Sequence, residues 1–429
     1  MLRPDPLLGL AVLLGLLALF LPWLEFKTSR IAVGLGHLAF ELSGVWAGVL
    51  LGLWLLLVVL PKGIRSVALG LMVLAWGLVI WAGASGLLHD GSENERVSLG
   101  AGFWLTLLAL YVGLFATYRQ QRAWALWPAL TALGVLIWVG AFGQVGPAME
   151  WLAWREQFGT EVWRHLALAG SAVIQATLVG VPLGVLATRG PQFAWVLGVS
   201  SFLQTIPSLA LFGLLLPLLS QLSRSLNLAT TLAILAVGAL MLRLFWAASP
   251  RIGLVAGVPL MLLFLVLGGT LLFNLLGPDP LKLALNAPLS EAGVRGIGTA
   301  PAVLALTLYA LLPLVNGTYA GLKAVPEAAR DAGRGMGMSG AQLFWRVELP
   351  LALPLILEGI RSAAVLALGI TTVAALIGAG GLGYFILRGA DSGAPDMVLL
   401  GALPVIVLAL LTDALLRWAG LGLRQRLGT

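Results

Sequence analysis

A glycine run near the end of the chain, Gly378-Ala379-Gly380-Gly381-Leu382-Gly383, satisfies G-x-G-x-x-G, a spacing at which backbone amides can cradle a pyrophosphate. That chemistry requires a strand before the run, a βαβ unit around it and an acidic residue about 20 positions further on. Here the run closes a long apolar segment, so the match is a coincidence of spacing. No stretch reads G-x-x-x-x-G-K-[ST], and Lys27, Lys62, Lys282 and Lys323 all lack that setting, so the chain has no P-loop. The absence of cysteine removes disulfides, thiolate zinc sites and a cysteine nucleophile. His37, His89 and His165 are too scattered to suggest a local metal site. No catalytic residue and no metal ligand is expected. Glu358 with Arg361, and Asp413 with Arg417, stand at helical pairing distance near the ends of apolar runs, where they read as structural pairs that reach water.

The elements that must position any site are membrane helices. Of the 429 residues 60% are hydrophobic and only 10% charged, whereas soluble domains are roughly a quarter charged. Apolar runs of about 20 residues, the length that crosses a bilayer, fall at 6–24, 42–60, 66–88, 100–118, 124–143, 162–187, 193–220, 228–246, 252–276, 299–319, 351–386 and 396–418. The first run flows into Pro22-Trp23-Leu24-Glu25 with no small-residue cleavage site, so it is expected to be a retained span and not a signal peptide. Hydrocarbon leaves no partner for unpaired backbone groups, and no alternating pattern supports a barrel. The fold is therefore expected to be all-α, polytopic, with about twelve transmembrane helices. Basic residues gather in one set of alternate loops, among them Arg3, Lys62, Arg65, Arg119, Arg122, Arg189, Arg243 and Arg251, then Lys323, Arg330, Arg334 and Arg346. By the positive-inside rule both termini and the 321–350 loop face the cytoplasm. The net charge of +7 is explained by these loops and does not call for nucleic acid.

The 321–354 segment is the most polar part of the second half of the chain. Glu327 suits the positive end of a helix, Gly333, Gly335 and Gly337 weaken it, and Ser339-Gly340-Ala341-Gln342 is a capping-box pattern that can start another. Pro350 and Pro354 mark entry into the next span. A helix–turn–helix on the membrane surface results, with Met336, Met338, Phe344 and Trp345 exposed as a knob for a protein partner.

These residues resemble importer permeases of the ATP-binding-cassette superfamily, whose cytoplasmic loop reads E-A-A, three residues, G, nine residues, I-x-L-P. The literal Glu327-Ala328-Ala329 fails downstream, where the Leu-Pro slots would hold Trp345 and Arg346. Starting at Asp331-Ala332-Gly333 puts Gly337, Val347, Leu349 and Pro350 in place, with Asp for Glu, Gly for Ala and Val for Ile as departures. Gln204-Thr205-Ile206-Pro207-Ser208-Leu209-Ala210, Leu311-Leu312-Pro313, Thr318-Tyr319-Ala320-Gly321-Leu322 and the 375–383 run are similar to permeases for glycine betaine and related osmoprotectants. The resemblance covers 162–219 and 298–420.

The resemblance implies a five-helix type I importer permease core within a 160–420 permease domain, interrupted by an inserted helix pair at 221–297. Residues 1–150 form an accessory N-terminal region of about five spans. The implied docking residues are Asp331, Ala332, Gly333, Met336, Gly337, Met338, Val347, Leu349 and Pro350. Gln204, Pro207, Ser208, Gly380 and Gly381 become candidates for the translocation pathway or its gate, because a proline breaks the hydrogen-bond ladder and lets a helix bend or line a cavity. The implied partners are separate ATPase subunits that use the ATP, an extracytoplasmic substrate-binding protein and a second permease copy, in the inner membrane, with no cofactor on this chain. The implied solute is glycine betaine, choline or carnitine. An amino-acid importer is the alternative within the class. An ion-coupled secondary transporter is the alternative outside it; that should show inverted repeats and mid-membrane charges, which this chain lacks.

Overall fold

The computed structural model describes residues 5–427 apart from 89–93, 122, 249, 279–285, 287 and 292. Seven helices among the described residues are long and apolar enough to cross a membrane: Lys62–Leu87, Ala101–Gln120, Gly146–Ala187, Ser208–Ser225, Thr299–Lys323, Gly340–Ile377 and Pro395–Leu423. Shorter apolar helices at Pro6–Ala18, Gly44–Leu57, Trp124–Trp138, Leu228–Met241 and Leu260–Leu276 complete a set that corresponds to the apolar runs of the sequence. The protein is a nearly all-α, polytopic membrane protein.

The exception is a three-stranded antiparallel sheet in the order β2-β1-β3, formed by β1 (Pro22–Lys27), β2 (Leu35–Leu38) and β3 (Arg96–Leu99). It corrects the expectation of one span over 6–24. The helix stops at Ala18, 13 residues long, and a straight helix of that length rises only about 20 Å. The physical reason lies in the residues after it. The Trp23 indole Nε1 donates to the Ala18 carbonyl at 2.8 Å, which satisfies a helix-end acceptor and turns the chain into an extended strand.

The chain divides into two compact units, Met1–Arg155 with Arg388–Leu400, and Glu156–Leu387 with Gly401–Thr429. The first is centred on buried tryptophans. Trp54 is fully buried, and a Cβ at Gly15 would lie 2.1 Å from its ring, so only glycine lets the first helix approach. Around the sheet sits a buried set of charges. The carboxylate of Glu150 is fully shielded and pairs with Arg30 at 2.7 Å, while Ser98 Oγ donates to Asp396 at 2.5 Å. The residues 22–38, 96–99, 146–155 and 388–400 thus share one unit. All four are connections that the span count puts on the same face.

In the second unit Thr299–Lys323 is the axial helix, with most of its residues buried. It packs against Leu349–Ala374 through glycine. A Cβ at Gly317 would lie 2.9 Å from Gly359 Cα, and one at Gly359 only 2.6 Å from the Pro313 carbonyl. Without apolar driving force in lipid, such close backbone approach is what holds membrane helices together. Gln175 adds a polar tie, donating to the Leu265 carbonyl at 2.7 Å and accepting from Thr307 Oγ1 at 3.0 Å.

Candidate functional site

The 323–350 loop folds through local rules. Its helix Glu327–Gly335 ends on Met336. Gly337 adopts φ +77°, the left-handed region that glycine enters without steric cost. The Gly337 amide donates to the Arg334 carbonyl at 2.9 Å and the Met338 amide to the Gly333 carbonyl at 3.2 Å, the paired bonds of a Schellman ending. Two residues later a capping box begins the next helix: Gln342 N donates to Ser339 Oγ at 3.3 Å, and Ser339 N donates to Gln342 Oε1 at 2.9 Å. Gly340–Leu343 and a π-turn over Phe344–Glu348 continue into Leu349–Ala374, and Pro350, which has no N–H to donate, lies just past that π-turn.

Gly333 is buried, and a Cβ there would lie 2.6 Å from Leu343 Cδ1 and 3.7 Å from Val347 Cγ2. Glycine in the second alanine slot is therefore the closest approach of the two short helices. Leu349 packs beside Leu322, Val325, Ala352 and Ile356. Asp331 and Ala332 are exposed, with Asp331 accepting from Arg334 at 3.0 Å. Met336 and Trp345 are 70% and 65% exposed, and Met338 is half-buried. Met338 and Phe344 both depart from their expected exposure, Phe344 lying half-buried beneath the Arg189 guanidinium, 5.7 Å from the ring centre.

In this loop the sequence does not announce the role of Arg330. Its guanidinium donates to Glu327 at 2.9 Å, to Glu348 at 2.9 Å and to the Leu322 carbonyl at 2.6 Å. It thereby joins the start of the loop to its end. The Arg330 hydrogen bond holds Glu327 below the usual carboxylate range, and the same bond raises Arg330 further. The sequence marked Arg330 only as one basic loop residue among several.

The pathway candidates fall into two groups. At Ile206–Pro207 the chain breaks between helices Trp195–Thr205 and Ser208–Ser225. Pro207 is exposed; Gln204 and Ser208 are half-buried. Gln204 Nε2 donates to the Tyr309 carbonyl at 3.1 Å, and the Tyr309 hydroxyl donates to the Ile206 carbonyl. The broken ladder is thus closed by the axial helix, through a tyrosine that no local pattern announces.

Gly378, Gly380 and Gly381 all have φ near +80° (76°, 77° and 83°). This run is held by one turn of the long helix Gly146–Thr188. The Glu161 carboxylate accepts from the Gly381 amide and pairs with Arg164 at 2.9 Å. A side chain at Gly380 would meet Arg164 Cδ at 2.6 Å. A helix, Leu349–Ala374, and a single turn, Ala375–Ile377, lead directly into the run, where a nucleotide motif requires a strand. The two helical ion pairs are present and linked, because Arg361 also reaches Asp413 at 3.3 Å. Among the described residues no cluster of three or more His, Asp or Glu is arranged to hold a metal.

The described residues thus combine a helical membrane core, a helix break at Ile206–Pro207 and a capped surface loop. Residues 177–425 match the family described as binding-protein-dependent transport system inner membrane component. Residues 3–149 match the N-terminal domain of the ABC transporter permease YehY. The chain belongs to the binding-protein-dependent transport permeases, a family of multi-pass inner-membrane subunits of ABC importers. It is 35% identical over 255 residues to the osmoprotectant import permease protein OsmW of Salmonella typhimurium, covering 59% of this chain and 86% of that one. It is 33% identical over 254 residues to the carnitine transport permease protein OpuCB of Listeria monocytogenes, covering 59% and 82%. A solved inward-facing structure of the MetNI methionine ABC transporter aligns with 61% of this chain and 91% of its own, at 19% identity and a TM-score of 0.37.

Proposed function

We propose that this chain is the permease of an ATP-driven importer for a small osmoprotectant such as glycine betaine, carnitine or choline. Support for the solute comes from the relatives, an osmoprotectant import permease and a carnitine permease among them. The observation that carries the mechanism is the Gly337 turn, which presents Met336 between two capped helices and is tied to the axial helix by Arg330. In this reading Asp331, Ala332, Gly333, Met336, Gly337, Met338, Val347, Leu349 and Pro350 form the cytoplasmic dock for a separate ATPase subunit. ATP is used there, and this chain binds no cofactor and catalyses no reaction. Both termini are cytoplasmic, the permease pairs with a second copy, and a substrate-binding protein delivers solute from outside.

Closure of the ATPase pair would move the dock as a rigid lever, and the helix Leu349–Ala374 would carry that motion to the glycine run at its far end. Gln204, Pro207 and Ser208 would bend at the break while Gly380 and Gly381 open, a two-state change of access. Residues 1–150 act as an accessory region beside a permease domain at 160–420. The test is reconstitution with the ATPase and the binding protein in liposomes. Glycine betaine, carnitine or choline should stimulate ATP hydrolysis and accumulate inside; silence with all three would remove the solute assignment.

A further inference from the structure

The inserted region at 221–297 contributes to a cavity of about 770 Å³ in the second unit. One wall is the end of helix Ser208–Ser225, which offers Ser220, Ser223 and Arg224. The opposite wall is the segment before the axial helix, which offers Ser290 and Arg295. Gly378, the first residue of the glycine run, closes one side; a Cβ at Gly298 would sit 3.7 Å from the Gly378 carbonyl. The span count puts this mouth on the outer face, so the cavity adjoins the gate from the side on which solute arrives.

Its chemistry has one sign. The lining holds two guanidinium groups and three hydroxyls, and none of the described lining residues is acidic. Arg295 is steadied by donation from Nε to the Ser290 carbonyl at 3.2 Å. A concave surface lined by one charge concentrates the opposite ion, by about tenfold or more, and the planar fork of arginine suits carboxylate. None of the described lining residues is aromatic, so none of them holds a quaternary ammonium by cation–π attraction. The volume falls in the range, about 300–1,000 Å³, that accommodates a whole small molecule, more than one acidic side chain of a docking protein would fill.

We propose that this cavity receives the carboxylate of an incoming zwitterion, and that Arg224 and Arg295 make the permease favour betaine-type zwitterions over the bare cation choline. The inference rests on the osmoprotectant reading for its solute. The charge selection itself does not need that reading. Two like charges at the mouth repel a cation that carries no carboxylate, while a zwitterion turns its anionic end inward.

The chain has no cysteine, so Ser290→Cys gives one thiol at the site, with Ser220→Cys as an independent second position. The experiment compares modification rates by anionic and cationic methanethiosulfonates in the purified permease, each divided by the same reagent's rate with a free thiol in solution, because the anionic thiolate itself favours the cationic reagent. The anionic reagent should react faster by about tenfold, and Arg224→Gln with Arg295→Gln in the same chain should bring the ratio close to one. Glycine betaine should slow the anionic reaction, and choline at the same concentration should not. Equal rates in the parent, a ratio insensitive to the two glutamines, protection by choline equal to that by betaine, or protection by the binding protein alone would each overturn the proposal. The labelling needs neither ATPase nor transport. A preserved charge ratio and betaine protection, in a preparation where no osmoprotectant stimulates hydrolysis, would sink the importer's solute assignment and leave the carboxylate site standing.

Discussion

Two glycine turns in the second unit, Gly337 in the polar loop and Gly378–Gly381 at the end of an apolar helix, use the same left-handed backbone to opposite ends. The Gly337 turn is closed by Arg334 and Gly333, its own neighbours, and followed by a cap from Ser339 to Gln342. The 378–381 run opens with the same local pair, Gly378 N to the Ala375 carbonyl at 3.0 Å and Ala379 N to the Ala374 carbonyl at 3.2 Å, but its last left-handed glycine, Gly381, is held by Glu161, 220 positions away in sequence. A turn held by its neighbours keeps its shape while the parts around it move, as a lever must. A glycine held by a distant carboxylate can be let go by moving one helix, which suits the gate proposed above.

The sharpest way to break this comparison is Gly337→Val. A Cβ at Gly337 meets nothing within 4 Å, so the damage is purely torsional: a β-branched residue resists positive φ, and co-purification of the ATPase subunit should be lost. Gly337→Asn, which tolerates the left-handed region, should keep most of it. Equal loss with both would mean that side-chain bulk, not torsion, matters to the partner. Next in size is Glu161→Ala, which strips the Gly381 amide of its acceptor at a cost of about 1–3 kcal/mol. Hydrolysis in the absence of binding protein should rise several-fold while ATPase binding stays unchanged; unaltered basal hydrolysis would mean the clamp does not restrain the gate.

Arg330→Met tests whether the loop is as self-contained as its turn. The variant retains volume but loses the bonds to Glu327, Glu348 and the Leu322 carbonyl. The ATPase should still bind, with solute uptake per ATP hydrolysed falling, because the start and the end of the loop lose their tie. Intact coupling would remove Arg330 from the force path. Ser339→Ala should cost about 1 kcal/mol, read as a modest weakening of ATPase affinity. The smallest effect concerns protons. Glu327 sits below its ordinary value in the folded loop, so its contribution is full above that value and is lost only as pH falls through the lowered one. ATPase affinity should therefore stay flat from neutral pH to about 4.3, the ordinary glutamate value; a decline near pH 6 would point to another group.

The two turns also explain what the sequence could and could not reveal. Schellman ending, capping box and proline entry are written in residues a few places apart, and the loop 323–350 was readable from spacing. The register starting at Asp331 is consistent with Gly337 at positive φ and with the buried approach of Gly333. Glu161, Tyr309 and Arg330 were invisible as partners, because their bonds cross between helices and no spacing rule records which helix lies opposite. The sheet was hidden for another reason. β1 (Pro22–Lys27) begins with Pro-Trp-Leu, and buried apolar residues there continue a helix-like run without a visible boundary.

The segment Arg388–Leu400 lies inside the stretch that matches the transport family, yet it folds as part of the N-terminal unit. Asp396 hydrogen-bonds to Ser98, and a side chain at Gly146 would collide with its carboxyl group, at 2.2 Å. The unit is therefore discontinuous in the gene although compact in space. An engineer who transplants residues 1–155 onto a shorter permease moves a lock without its key: Ser98 loses its acceptor and the pocket fitted to Asp396 stands empty. A chimera should therefore carry 388–400 along with the N-terminus, so that Ser98 keeps its acceptor.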